Sequence, residues 1–164
     1  MSREFFRNID KFSSYEERMR YADEYYKKWY LAANIGSQGE KFAIDPVPQY
    51  VLEFFSGAKD KNIYLFSPSI AEIEMFAGKF NKVYFSAMPA IETRLPDNVV
   101  QCRYDDNFEI KNGEKELADY AFSHHVIEHI HPKDLEKHMR LVFSYLKTGG
   151  EYVIVCPSNI RIWK

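Results

Sequence analysis

Ala118-Asp-Tyr-Ala-Phe-Ser-His124-His125-Val-Ile-Glu128-His129-Ile-His131-Pro132-Lys-Asp-Leu-Glu-Lys-His138, running on through Met139-Arg-Leu-Val-Phe-Ser-Tyr-Leu-Lys-Thr-Gly149-Gly150-Glu-Tyr-Val-Ile-Val-Cys156, decides the fold. It reads as strand, histidine-rich turn, helix, strand. Tyr120-Ala-Phe122 and Tyr152-Val-Ile-Val155 are short apolar runs without polar alternation, the texture of strands covered on both faces. Between them Leu135, Met139, Val142 and Leu146 share one helical face, and Gly149-Gly150 is expected to end that helix. All five histidines fall between His124 and His138, so whatever chemistry they do is concentrated here.

Upstream the same texture repeats. Asn62-Ile-Tyr-Leu-Phe66, Val83-Tyr-Phe85 and Val99-Val-Gln-Cys102 read as three further strands, with a helix over Ser67 to Gly78 after the first. Strands alternating with helices over short loops predict an α/β domain with an open, doubly wound, mostly parallel sheet. A helix with Asp45 as N-cap and Pro46 at its first position is expected to bury Val47, Val51, Leu52 and Phe55. Residues 1–40 form a separate helical cap before the α/β domain of residues 41–164. In that cap, Ser13-x-x-Glu16 or Ser14-x-x-Glu17 opens a helix over Tyr15 to Ala33.

Composition excludes several classes. A chain of 164 residues, 46% hydrophobic and 28% charged, is long and apolar enough for one globular core. A net charge of −2 argues against a dedicated nucleic-acid binder, which needs a basic field. The aromatic group Tyr21, Tyr25, Tyr26, Trp29 and Tyr30 is mixed with Glu16, Glu17, Asp23 and Glu24, so it reads as helix docking rather than a base-stacking platform. No apolar run approaches a membrane span, and Cys102 and Cys156 sit in apolar runs as expected of buried, reduced thiols. The expected compartment is the cytoplasm.

His125-x-x-Glu128-His129 also matches a zinc-peptidase motif. Such enzymes hold both histidines on one long helix and take an acidic ligand from far downstream. Here Pro132 limits any helix, and only Glu136 and Glu151 follow as glutamates, so that reading fails. His131 and His138, flanked by Pro, Lys and Glu, are expected to face solvent.

Ala118-Asp119-Tyr120, Val126-Ile127-Glu128-His129, Leu146-Lys-Thr-Gly-Gly150 and Val155-Cys-Pro157-Ser-Asn159 together resemble the small class I S-adenosylmethionine-dependent methyltransferases. About 40 residues match closely and about 100 match in element order. The resemblance implies a Rossmann-like sheet binding its ligand beyond the carboxyl ends of the strands. It implies methyl transfer to a small-molecule or sugar-like acceptor. His125, Glu128 and His129 fall on the acceptor side, with His125 or His129 as general base for a hydroxyl. Ser67, Ser69, Ala87, Asp105, Asp106 and His124 fall on the cofactor side, with Asp105 or Asp106 at the adenine. Some relatives acting on catechol-like rings bind a divalent metal at this turn, but His125 replaces their first glutamate, and no metal is expected here.

Three departures qualify that picture. The turn Phe66-Ser67-Pro68-Ser69 lacks the family's glycines and the acid before them. The second strand ends in Ser86-Ala87 where the family has a ribose-binding acid. Ser67 and Ser69 either cap the next helix alone or also leave its first amides for a carboxylate. S-adenosylmethionine binding is therefore expected to be weak or lost, and the alternative is a methyltransferase-fold pseudoenzyme acting as scaffold or partner subunit. Finally, the family's last two strands have no counterpart before Lys164, leaving the fifth strand as an apolar edge. A homodimer through this edge, a partner protein there, or a shortened chain are the expectations that follow.

Overall fold

A computed structural model describes residues 3–32, 46–87, 91–92, 94–104 and 115–156. In chain order the elements are α1 (Arg3–Ile9), α2 (Tyr15–Ala32), α3 (Gln49–Phe54), β1 (Asn62–Phe66), α4 (Ile70–Ala77), β2 (Lys82–Ser86), β3 (Val99–Gln101), β4 (Ala118–His124), α5 (Leu135–Tyr145) and β5 (Leu146–Val155). Two 3-10 turns, Ile127–His129 and Pro132–Asp134, link β4 to α5. The strands form one all-parallel sheet in the order β3-β2-β1-β4-β5, the expected open doubly wound arrangement.

Alternation along β1 explains the layers. Ile63 and Leu65 face the core shared by Val51, Phe55, Ile73, Phe76, Val83, Phe85 and Phe122, on the α3/α4 side. Tyr64 and Phe66 face the opposite side, against Val142 and Tyr145 of α5. Both faces of the strand are thus covered, as the unbroken apolar run requires. Burial raises the Tyr64 hydroxyl well above its ordinary pKa.

The cap helices pack on each other through Phe5, Ile9 and Ala22, and they reach the α/β domain by polar contacts. Arg18 is buried and pairs through two nitrogens with Asp134, while its third nitrogen donates to the carbonyls of Phe12 and Ser13. Asp10 bonds His131 at 2.8 Å, and Lys137 meets Glu16 at 3.4 Å and the Tyr15 ring at 3.6 Å. The capping box of α2 is Ser14-x-x-Glu17: Ser14 Oγ accepts from the Glu17 amide, and Glu17 accepts from both Ser13 and Ser14 amides. The expected boundary at residues 40 and 41 lies outside the described residues.

Several sequence expectations need correction. The helix expected from Pro46 begins at Gln49, because Pro48 takes the cap position and holds Val47 out of helical space; its expected cap Asp45 lies outside the described residues. Gly149-Gly150 does not end α5, which stops at Tyr145 and passes straight into β5. Instead these glycines serve an irregularity where β5 slips past β4 between Ala118 and Tyr120. Gly149 has φ +83, and a Cβ on Gly150 would stand 3.0 Å from the carbonyl oxygens of Asp119 and Lys147. Leu135, expected on one helical face with Met139 and Val142, is 39% exposed at the start of α5, whereas Val142 is fully buried. His131 is buried rather than solvent-facing, since its Nδ1 caps the Lys133 amide and its Nε2 meets Asp10. His138 is half-buried against Phe66 and Tyr152. Both cysteines are free thiols, but Cys102 is half-buried and Cys156 exposed. No described helix is long and apolar enough to cross a membrane.

Candidate functional site

In the order β3-β2-β1-β4-β5 the chain runs outward one way from β1 and the other way from β4, so the topological switch point lies between these two strands. Backbone strain marks the carboxyl end of each. Ser67, directly after β1, has φ +47, and His125, directly after β4, has φ +57. Side chains disfavour this left-handed region, and here two such residues follow neighbouring strands whose register pairs Phe66 with Ser123. Both still extend the ladders: the Ser67 amide donates to the Ser86 carbonyl at 2.7 Å, and the His125 amide to the Val155 carbonyl at 2.9 Å. A third such residue, Glu116 (φ +58), precedes β4 at the opposite end.

The turn after β4 brings the predicted acceptor-side residues together. Glu128 Oε1 lies 3.0 Å from His125 Nδ1 and 3.8 Å from His129 Nε2. Glu128 Oε2 and His129 Nδ1 are buried with no hydrogen-bond partner, leaving one acceptor and one ring nitrogen of the turn unsatisfied. Burial holds the His129 imidazole below its ordinary pKa, against the pull of the Glu128 charge, with His125 adding to the lowering. The short 3-10 turn, stopped by the extended residue Ile130 before Pro132, replaces the long helix a zinc peptidase needs. Among the described residues no group of three potential ligands is placed to hold a metal ion.

The cofactor-side predictions fare differently. Ser69 is the N-cap of α4: its hydroxyl accepts from the Glu72 amide, and Glu72 Oε2 accepts from the Ser69 amide at 2.7 Å and hydroxyl at 2.8 Å. This reciprocal box engages the amides of Ser69 and Glu72 internally. Ser67 is exposed and takes no part in the cap. At the end of β2, the buried Ser86 hydroxyl already accepts from Tyr104 at 3.0 Å, and Ala87 packs against the apolar core. Asp105 and Asp106 lie outside the described residues.

His124, expected on the cofactor side, ends β4. Its Nδ1 bonds Glu72 Oε1 at 2.9 Å, both side chains being nearly sealed. Its ring centroid is 4.4 Å from that of His125. Glu72 is the site residue that the sequence reading missed, although the Ser69-x-x-Glu72 spacing is a capping-box signature. Behind the site, on the α5 face, Ser123 Oγ and Tyr152 Oη share a 2.8 Å bond, and His138 Nε2 lies 3.3 Å from the same phenol. Burial pushes the His138 imidazole down to about 4 and raises the Tyr152 hydroxyl, partly offset by Ser123.

A separate cavity of about 210 Å³ lies at the amino end of the sheet, lined by Lys61, Asp119, Lys147 and Gly149 among others. Asp119 there is already engaged by the Asn62 amide and by both lysines. Burial alone would raise its carboxyl, but these partners hold it below its ordinary pKa. It is remote from the histidines. Comparisons with protein-family models, curated proteins and solved structures find no match to this chain.

Proposed function

We propose that this domain is a methyltransferase-like enzyme working at the carboxyl ends of β1 and β4, transferring a methyl group from S-adenosylmethionine to a small-molecule or sugar-like acceptor. The observation that carries the reading is the switch point itself, where two strained turns set Ser67 and the His125–Glu128–His129 group at neighbouring strand ends. The sequence resemblance described above supports it. When bound, S-adenosylmethionine supplies a methyl group activated by its sulfonium, so the protein's part is positioning and, for a hydroxyl acceptor, proton removal.

The described residues suit that cofactor only in part. The left-handed turn at Ser67 provides the sharp bend after β1 without glycine. The Ser86 hydroxyl and the amides of Ser69 and Glu72 are already engaged, so neither serves a ribose or a carboxylate. Weak binding follows: losing one charge-assisted hydrogen bond costs about 1.5–3 kcal/mol, roughly ten- to a hundred-fold in affinity. The same engaged groups favour the second reading, a methyltransferase-fold scaffold without cofactor. In either reading a second copy or a partner protein pairs with β5, which lies at the end of the sheet order with Ile154 exposed. Cytoplasmic localisation remains part of the same proposal.

Calorimetric titration with S-adenosylmethionine and S-adenosylhomocysteine tests the choice. The enzyme reading expects a dissociation constant above about 1 µM. Absence of binding at millimolar ligand selects the scaffold.

A further inference from the structure

The Glu72–His124 pair differs from an ordinary buried tie in how its hydrogen bonds are distributed. Glu72 Oε2 accepts from two donors of Ser69, and Oε1 faces His124 Nδ1 at 2.9 Å. A carboxylate only accepts, so Nδ1 carries the proton and a neutral ring keeps its lone pair on Nε2. That nitrogen has no hydrogen bond to any described residue, on a side chain that is only 3% exposed. The residue stands at the carboxyl end of β4, one position before the strained turn, so this unengaged lone pair belongs to the switch-point end of the sheet.

We propose that His124 is the proton acceptor of the site and that Glu72 is the positioning residue that fixes its tautomer. The His125–Glu128 pair offers similar chemistry but is about a quarter exposed and joins residues only three positions apart. His124 is held by packing, by the strand, and by a carboxylate that the α4 capping box itself fixes, which is the rigidity a positioned base needs. The groups facing the ring are Glu72 from α4 and His125 from the turn. In the step, the acceptor O–H bond breaks, its electron pair stays on oxygen, and the proton passes to Nε2. The resulting imidazolium is paired with the Glu72 carboxylate. That the acceptor atom is a hydroxyl rests on the methyl-transfer reading; the orientation of the pair does not.

The test uses the whole protein labelled with ¹⁵N-histidine, without added ligand. Long-range nitrogen–proton correlation at neutral pH is expected to show His124 protonated at Nδ1 and bare at Nε2, and diethyl pyrocarbonate is expected to acylate its Nε2 in the folded state. Glu72→Gln should slow that acylation about fivefold or more while leaving the fold intact, because the charge assistance is lost. A proton on Nε2, or a His124 refractory to the reagent in the folded protein, overturns the proposal, and the wild-type tautomer decides it even where Glu72→Gln does not fold. S-adenosylmethionine is absent from these measurements. The expected tautomer with a failed cofactor titration therefore overturns the methyl-transfer reading alone, whereas cofactor binding with the proton on Nε2 overturns the pair alone.

Discussion

Two histidine–carboxylate pairs stand side by side at the end of β4, and they are built in opposite ways. His125–Glu128 is made within one turn, three residues apart, and about a quarter of each side chain is exposed. Glu72–His124 joins residues 52 positions apart, is nearly sealed, and is fixed by a capping box on one side and a strand on the other. The first pair joins neighbours in sequence; the second exists only when the sheet and α4 are in place.

The largest expected effect falls on the turn that carries the first pair. The turn carrying it runs into Asp134, which Arg18 holds in a buried ion pair. Arg18→Ala leaves Asp134 buried without its partner, a loss of about 3–5 kcal/mol. Hydrogen exchange should then quicken over residues 126–134 and in α2 while β1 and β4 stay protected. Uniform loss of protection would show that cap and sheet unfold as one unit.

Away from these pairs, His138 packs against Phe66 and Tyr152 and bonds the Tyr152 phenol. Burial holds His138 near 4, below the ordinary value of 6.5, so the unfolded chain binds the extra proton first. Its stabilising contribution is whole above about 6.5 and is lost as pH falls towards 4, on the order of 3 kcal/mol at most. Urea melts from pH 7 to 4 should show that slope, and His138→Phe should flatten it.

The two carboxylates themselves should differ in cost. Glu72→Ala removes both the capping box and the His124 partner, and about 1–3 kcal/mol of stability is expected to go with it. Glu128→Ala removes a partly exposed local contact and should change stability by less than about 1 kcal/mol. Equal costs in thermal melts would erase the contrast.

The smallest effect concerns strain. Ser67→Gly relieves the left-handed penalty of about 1–2 kcal/mol, less the roughly 0.5–1 kcal/mol of extra chain entropy that glycine loses on folding. A net gain near 0.5 kcal/mol is expected, visible as a small rise in Tm.

Local patterns were readable in the sequence, and long-range partnerships were not. The run Asn62 to Phe66 is β1 to the residue, because a strand covered on both faces has no polar alternation to blur its ends. The turn His125 to His129 was equally visible, since its contacts are made within four residues. Pro46 and Gly149-Gly150 misled because each has two structural uses, and only tertiary context selects between helix start and lead-in, or between helix end and strand irregularity. Arg18 with Asp134, and His131 with Asp10, lie more than a hundred residues apart and carry no local signal. Glu72 was half visible: the capping box is a sequence pattern, but its second oxygen meeting His124 is a product of strand order.

The central claim is that the ligand site is the switch point between β1 and β4. Backbone amide shifts recorded while S-adenosylmethionine is titrated to millimolar concentration test it most directly. The account predicts that the signals that move cluster at residues 67–72 and 123–129, with Glu72→Ala shrinking the response. Shifts confined to Lys61, Asp119 and Lys147 at the amino end of the sheet would contradict it.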